Sequence, residues 1–248
     1  MRVTVLGSAA SYAGPGQACA GCLVQGASAA VLLDCGHGVL ANLQRVADPL
    51  ALDAVVISHA HPDHFVDLYA LHTMLRYAPQ GPAGSLRLHA PAGLIDRMGA
   101  LLSERGRASL AEAFDERGLV AGAPLAFDDL TVTAFPVDHM EGSFALTVEC
   151  AGRLVCYTGD TAPGAAILAA ARGCDLLIAE ATLPERYAGR APHLSAREAG
   201  ALAREAGAAA LALVHIWPAN DREEILRDAE AEFPGPVSLP SEMDSFDL

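Results

Sequence analysis

Lysine is absent from this chain of 248 residues, so all 16 basic side chains are arginine. Against them stand 30 carboxylates, which leaves a net charge of −14 with histidine neutral. A protein that neutralises the phosphates of a long nucleic acid wants a basic face. This balance argues against a large polyanionic partner, so nucleic acid is not the expected substrate. It leaves room for a small anion held by metal ions, which set their own local field. No apolar run approaches the ~20 residues needed to span a bilayer, and no membrane association is expected. The opening MRVTVLGSAAS reads as a strand and lacks the apolar core and cleavage pattern of a secretory signal. The expectation is a cytoplasmic protein.

Cysteine pairs are scarce too. Of the six cysteines only Cys19 and Cys22 form a CxxC, and no second pair follows to complete a structural zinc knuckle. This CxxC lies in a glycine-rich loop rather than at a helix start, so a redox role does not fit. All six read as small buried thiols in a reducing compartment. There is no GxSxG elbow, no phosphate-binding Walker loop, no low-complexity tract and no linker. Residues 1–248 are read as one domain.

Hydrophobic residues make up 52% of the chain, enough to bury a large core. Strand-like runs fall at Val3–Leu6, Cys22–Gln25, Ala30–Leu33, Ala54–Ile57, Leu86–His89, Leu130–Phe135, Phe144–Glu149, Leu154–Tyr157, Leu176–Ala179 and Leu211–Val214. Helical patterns fall at Val39–Val46, Phe65–Tyr77, Ala92–Glu104, Gly164–Ala171, Ala196–Ala206 and Arg222–Glu232. Ser195 with Glu198 makes a capping box, and Asp221 with Glu224 resembles another. The order predicts an α/β (α+β) chain with two mixed sheets packed face to face and helices outside. Tyr77 to Pro124 is the weakest stretch. It holds PQGPAG and a charged helical segment, SERGRASLAEAFDERG, and is read as either a lid or a surface excursion.

The strongest signal is His59-Ala60-His61-Pro62-Asp63-His64, at the end of the strand AVVIS. In an extended segment residues two apart point the same way, so His59 and His61 can grip one ion. Asp63 and His64 follow the turn set by Pro62 and can face a second ion. Chance histidines in a polar loop would rarely collect at the mouth of a buried strand. Nitrogen and carboxylate donors without cysteine suit zinc, and also manganese or iron. His139, Asp160 and His215 each follow an apolar strand. Alone, each could be a satisfied loop residue; with the cluster they complete two sites that share Asp160.

HAHPDH, then His139, the TGD of Asp160 and His215, resemble the ordered ligand set of the metallo-β-lactamase superfamily. The resemblance implies a four-layer αββα sandwich and two divalent metal ions, most readily zinc. It places His59, His61 and His139 on one ion, Asp63, His64 and His215 on the other, and Asp160 between them. VTVLGSAAS, LLDCGHGVL and AEAT followed by HLSAREAG are similar to the phosphodiesterase branch that includes tRNase Z. The nearest likeness is to small bacterial cyclic-nucleotide phosphodiesterases. Cysteine, usual near the position of Asp160 in true β-lactamases, is not found there.

Two ions sharing a water can hold it as hydroxide near neutral pH, so the nucleophile is expected to be that water rather than a side chain. The resemblance gives His193, in PHLS, the role of protonating the leaving oxygen, with Glu180 orienting it. Ser195 is read as a helix cap. Asp34 is read as fixing a ligand histidine, or as a plain turn carboxylate. His37, His72 and His89 fall outside the ligand pattern. Trp217 either packs or stacks on a base. The expected reaction is hydrolysis of a small phosphodiester, foremost a 3′,5′-cyclic nucleotide. The alternatives are tRNA 3′-end processing, thioester or lactam hydrolysis, and a non-catalytic metal module. The tRNA enzymes resembled here carry a protruding arm, yet Asp160 comes only 21 positions after His139 and two strands fill that interval. The resemblance also implies a homodimer.

Overall fold

Runs such as AVLL, LLIA and LALV are apolar at consecutive positions, the pattern of strands covered on both faces. In the computed structural model, which describes residues 1–79 and 82–248, they form the middle of two mixed sheets. The strands are β1 (Arg2–Gly7), β2 (Gly21–Gln25), β3 (Ala30–Leu33), β4 (Ala54–Val56), β5 (Leu86–Ala90), β6 (Phe114–Gly118), β7 (Pro124–Phe127), β8 (Leu130–Pro136), β9 (Phe144–Cys150), β10 (Arg153–Tyr157), β11 (Leu176–Glu180), β12 (Leu211–Val214), β13 (Val237–Ser238) and β14 (Ser245–Asp247). The helices are α1 (Val39–Leu43), α2 (Pro62–Phe65), α3 (Leu68–Tyr77), α4 (Leu94–Gly99), α5 (Glu104–Ala113), α6 (Ala165–Ala171), α7 (Ala196–Ala206) and α8 (Arg222–Glu232).

One sheet runs β14-β1-β2-β3-β4-β5-β6 and the other β13-β12-β11-β10-β9-β8-β7. Each is antiparallel at one side and parallel at the other, with β3 to β6 and β10 to β13 parallel. Alternate residues of each strand face the partner sheet. Val3, Val5, Val31, Leu33 and Val56 meet Val132, Leu146, Val148, Val155 and Ile178 in a core between the sheets. Leu6, Leu23, Leu32 and Val55, on the opposite face, pack beneath helices α1, α3, α4 and α5. Leu177, Leu211 and Leu213 pack beneath α6, α7 and α8. The result is the expected αββα sandwich. Among the described residues no helix is long and apolar enough to cross a membrane.

The capping box of Ser195 and Glu198 is complete. At α8 only half of one forms: Asp221 accepts from the backbone of Glu223 and Glu224. The helical reading of Phe65–Tyr77 is corrected to two helices, because Pro62 starts the first and Asp67 turns away to accept from the Leu40 N–H. The segment SERGRASLAEAFDERG is also only partly helix. Its last five residues are β6, whose charges hide a strand that pairs in parallel with β5. Tyr77 to Pro124 therefore supplies β5, α4, α5 and β6, an edge of the first sheet and its helical cover, not a lid. Residues 80 and 81, inside PQGPAG, lie outside the described residues. The strands β7, β13 and β14 are four residues long or shorter, too short to show as periodic runs.

The candidate metal centre

Strands β4, β8, β10, β11 and β12 end along one edge of the sandwich, and the site is assembled from the loops that follow them. His59 and His61 leave β4 in extended backbone, and Pro62 opens the short helix that carries Asp63 and His64. His139 follows β8, Asp160 follows β10 and His215 follows β12. His215 has φ +51 and Asp34 φ +58, left-handed conformations that few residues with a side chain adopt. The surrounding contacts over-determine both.

The seven side chains converge as two groups. One donor atom each from His59, His61, His139 and Asp160 lies within 4.8 Å of the others, and the same holds for Asp63, His64 and His215. Nδ1 of His61 lies 3.1 Å from Nε2 of both His59 and His139. Nε2 of His64 lies 3.2 Å from Nε2 of His215, which is itself 3.2 Å from Asp63 Oδ2. Asp160 stands between the groups. Its Oδ2 faces Nε2 of His59 and His139 at 3.6 and 3.7 Å. Its Oδ1 faces His64 and His215, each at 3.4 Å, and gains no hydrogen bond among the described residues.

An unpartnered buried carboxylate oxygen costs free energy, and so do ring nitrogens crowded at hydrogen-bond distance with too few protons between them. A divalent cation in each group removes both costs, and the donors are of the kind zinc, manganese or iron accepts. The residues therefore fit two ions.

In four of the five rings, those of His59, His64, His139 and His215, the other nitrogen is occupied, which fixes the tautomer. His64 Nδ1 donates to Asp34 Oδ2 at 2.7 Å, and Ser58 and the Tyr157 hydroxyl donate to the same carboxylate. His59 Nδ1 donates to Ser58 Oγ at 3.0 Å. His139 Nδ1 donates to the Pro192 carbonyl at 2.9 Å. His215 Nδ1 donates to Thr182 Oγ1 at 2.8 Å, and that hydroxyl donates on to Glu180. The Asp63 carboxylate is set by the backbone N–H of Ser11, 2.8 Å away.

The electrostatics of the first group, His59, His61 and His139, agree with this division. Burial, then the nearby His64, drives His59 down to about 2, so its ring is neutral with a lone pair to give. His61 and His139 are likewise lowered, burial first. Burial opposes charge on Asp160, yet His215 and His64 hold its carboxyl well below the usual range.

Beside this set, Nδ1 of His193 lies 3.0 and 3.1 Å from the two oxygens of Glu180. Asp160, Glu180, His193 and His215 form a further converging group. Burial works against charge on His193, but the hydrogen bond and charge of Glu180 raise it above its ordinary value. Glu180 is wholly buried and also accepts from the Thr161 N–H at 2.7 Å.

The structure thus brings together all nine residues singled out for chemistry. It keeps His37, His72 and His89 away: His37 faces Asp67, His72 bonds Ser109, and His89 packs edge-on to Phe127. The six cysteines are free and buried. Ser11, Ser58, Tyr157, Thr182 and the Pro192 carbonyl were missed. Thr182 alone had a signal, since it stands two residues after Glu180 and shares its side of the extended segment.

Residues 29–216 match the beta-lactamase superfamily domain. An uncharacterized protein of Mycobacterium tuberculosis is 36% identical, over 96% of this chain and 88% of its own. The probable metallo-hydrolase YhfI of Bacillus subtilis is 28% identical over 96% of both chains. Its crystal structure superposes with a TM-score of 0.88 at 25% identity, covering 99% of each chain. A ribonuclease Z of Halorubrum lacusprofundi is 26% identical, over 100% of this chain and 97% of that protein. With this match and this site, the chain belongs to the beta-lactamase superfamily, as a metal-dependent hydrolase of its tRNase Z-like branch.

Proposed function

We propose that residues 1–248 act as one catalytic domain that hydrolyses small phosphodiesters, with a 3′,5′-cyclic nucleotide as the leading substrate. The observation that carries the reading is Asp160 between two ligand groups, with the Glu180–His193 pair at their side. His59, His61 and His139 would hold one divalent ion and Asp63, His64 and His215 the other, with Asp160 serving both. Zinc suits this set best. Such ions supply a water ionised near neutral pH and offset charge on the phosphoryl oxygens. The chain's own residues do the rest. Asp34, Ser58, Thr182 and Pro192 keep the imidazoles in the tautomers the site needs. Glu180 occupies Nδ1 of His193 and favours its protonated form. His193 can then deliver a proton from its other nitrogen to the departing oxygen.

Small size is supported by the interval between His139 and Asp160. The hairpin of β9 and β10 fills it, leaving no protruding arm for a folded RNA. The net charge of −14 supports the same reading. The alignment with ribonuclease Z extends over 303 positions against 248 residues here, so that protein carries segments this chain lacks. Its similarity makes tRNA 3′-end processing the second reading.

The test is to present cyclic AMP, bis(4-nitrophenyl) phosphate and a precursor tRNA to equal amounts of metal-loaded protein at two salt concentrations. Cleavage of the first two with little cleavage of tRNA supports the proposal. Faster cutting of tRNA, falling steeply with salt, replaces it with the second reading.

A further inference from the structure

Two loops that meet beside the second ligand group carry aromatic side chains that the reaction does not use. The strand-like contact of Ala9 with Ile216 brings them side by side, and the Ala10 N–H donates to the Ile216 carbonyl at 3.1 Å. From that contact both chains run on along the rim of the site. On one side Ser11, in left-handed backbone at φ +59, gives its N–H to Asp63 Oδ2 at 2.8 Å. Tyr12 follows directly with 54% of its surface exposed. On the other side His215 is followed, two residues on, by half-buried Trp217. The Trp217 indole N–H donates to Ser11 Oγ at 3.3 Å, which ties the loops together. Below them Gly14 lies so close to Pro218 that an added Cβ would come within 3.1 Å of its ring.

The placement is economical in a chain with so few aromatics. The chain has one tryptophan and five tyrosines. The tryptophan stands two residues from His215, and one exposed tyrosine stands next to Ser11, whose N–H holds Asp63. Solvent-exposed aromatic faces beside a charged site offer stacking area without competing for the phosphoryl group.

We infer that Tyr12 and Trp217 form a stacking subsite for the heterocyclic base of a nucleotide whose phosphodiester lies at the ligand groups. The inference rests on the phosphodiesterase reading for the position of the phosphate, and it adds the base as the feature by which substrates are chosen. Stacking tolerates any base, because every base has a π-face. Purine and pyrimidine substrates should therefore both be accepted, with the larger purine face favoured.

Trp217 is the chain's only tryptophan, so its fluorescence reports on this subsite without background. Metal-loaded protein is titrated with adenosine 5′-monophosphate and, separately, with ribose 5-phosphate, which has the same phosphate and no base. Quenching or a shift of emission by the first at concentrations where the second does nothing supports the subsite. Identical responses, or none, overturn it. In parallel, kcat/KM is measured for cyclic AMP and for a methyl riboside 3′,5′-cyclic phosphate. Tyr12→Ala should lower the ratio between them by roughly ten-fold, within the range that base–aromatic stacking supplies, and Tyr12→Phe should restore it. Trp217→Phe should keep most of the preference. An unchanged ratio in Tyr12→Ala overturns the subsite. The emission titration does not depend on turnover. Protein that responds to the base yet cleaves no phosphodiester would refute the reading of function and retain the subsite.

Discussion

Glu180 grips His193 at one ring nitrogen only, with its carboxylate oxygens 3.0 and 3.1 Å from Nδ1. The same carboxylate accepts from Thr182, whose hydroxyl holds His215. One buried acid thus positions both the His215 imidazole and the His193 ring beside it, and the two are not expected to respond alike to mutation.

His193→Ala should leave bound metal unchanged and lower turnover by roughly 10²–10⁴-fold, the usual range for a general acid. The loss should be smaller for bis(4-nitrophenyl) phosphate than for cyclic AMP, because a nitrophenolate needs little protonation to depart. Steady-state rates on both substrates, with elemental analysis of the variant, check this. An equal loss on both removes the acid role.

Asp34→Asn tests the support beneath His64. Asparagine keeps the shape and tolerates the left-handed backbone at φ +58. Its amide nitrogen, however, must face one of the donors that Asp34 now accepts from: Ser58, His64 or Tyr157. Metal affinity should fall by roughly 10–100-fold, as when other supporting partners of ligands are removed. Tyr157→Phe removes one donor only and should cost about 1 kcal/mol of stability. Competition with a chelator and thermal unfolding measure the two effects. Unchanged metal affinity in Asp34→Asn would show that His64 is held by other contacts.

Far from the site, Asp129 predicts a pH signature. The backbone N–H of Ala27, followed by the hydroxyl and N–H of Ser28, holds its carboxyl down at about 2. A carboxylate depressed by folding contributes stability at pH values above its unfolded pKa, and that contribution is lost as pH falls toward the folded value. Asp129→Asn should thus lower the melting temperature at pH 7, and the gap to wild type should close between about pH 4 and pH 2. A gap that stays constant over that range would mean the loop is not held by the charge.

The candidate ligand set was legible because its chemistry is local. Four of the seven residues fall between His59 and His64, and the other three each follow a strand-like run. The αββα layering was legible for the same reason, since strands buried on both faces leave continuous apolar runs. What tertiary approach decides was not legible. Ser11 reaches Asp63 across 52 positions, and the carbonyl of Pro192 reaches His139 across 53. Neither has a sequence pattern that announces it. Phe114–Gly118 looked helical because Asp115, Glu116 and Arg117 are the charges of an exposed edge, and only pairing with Leu86–Ala90 makes that segment a strand.

The most direct test of the account is a count of metal per chain by elemental analysis, on wild-type protein and on His61→Ala. The convergence of seven candidate ligand residues on two groups joined at Asp160 predicts about two divalent ions per wild-type chain, and fewer in His61→Ala. One ion or none after reconstitution, with His61→Ala binding the same amount, would contradict it.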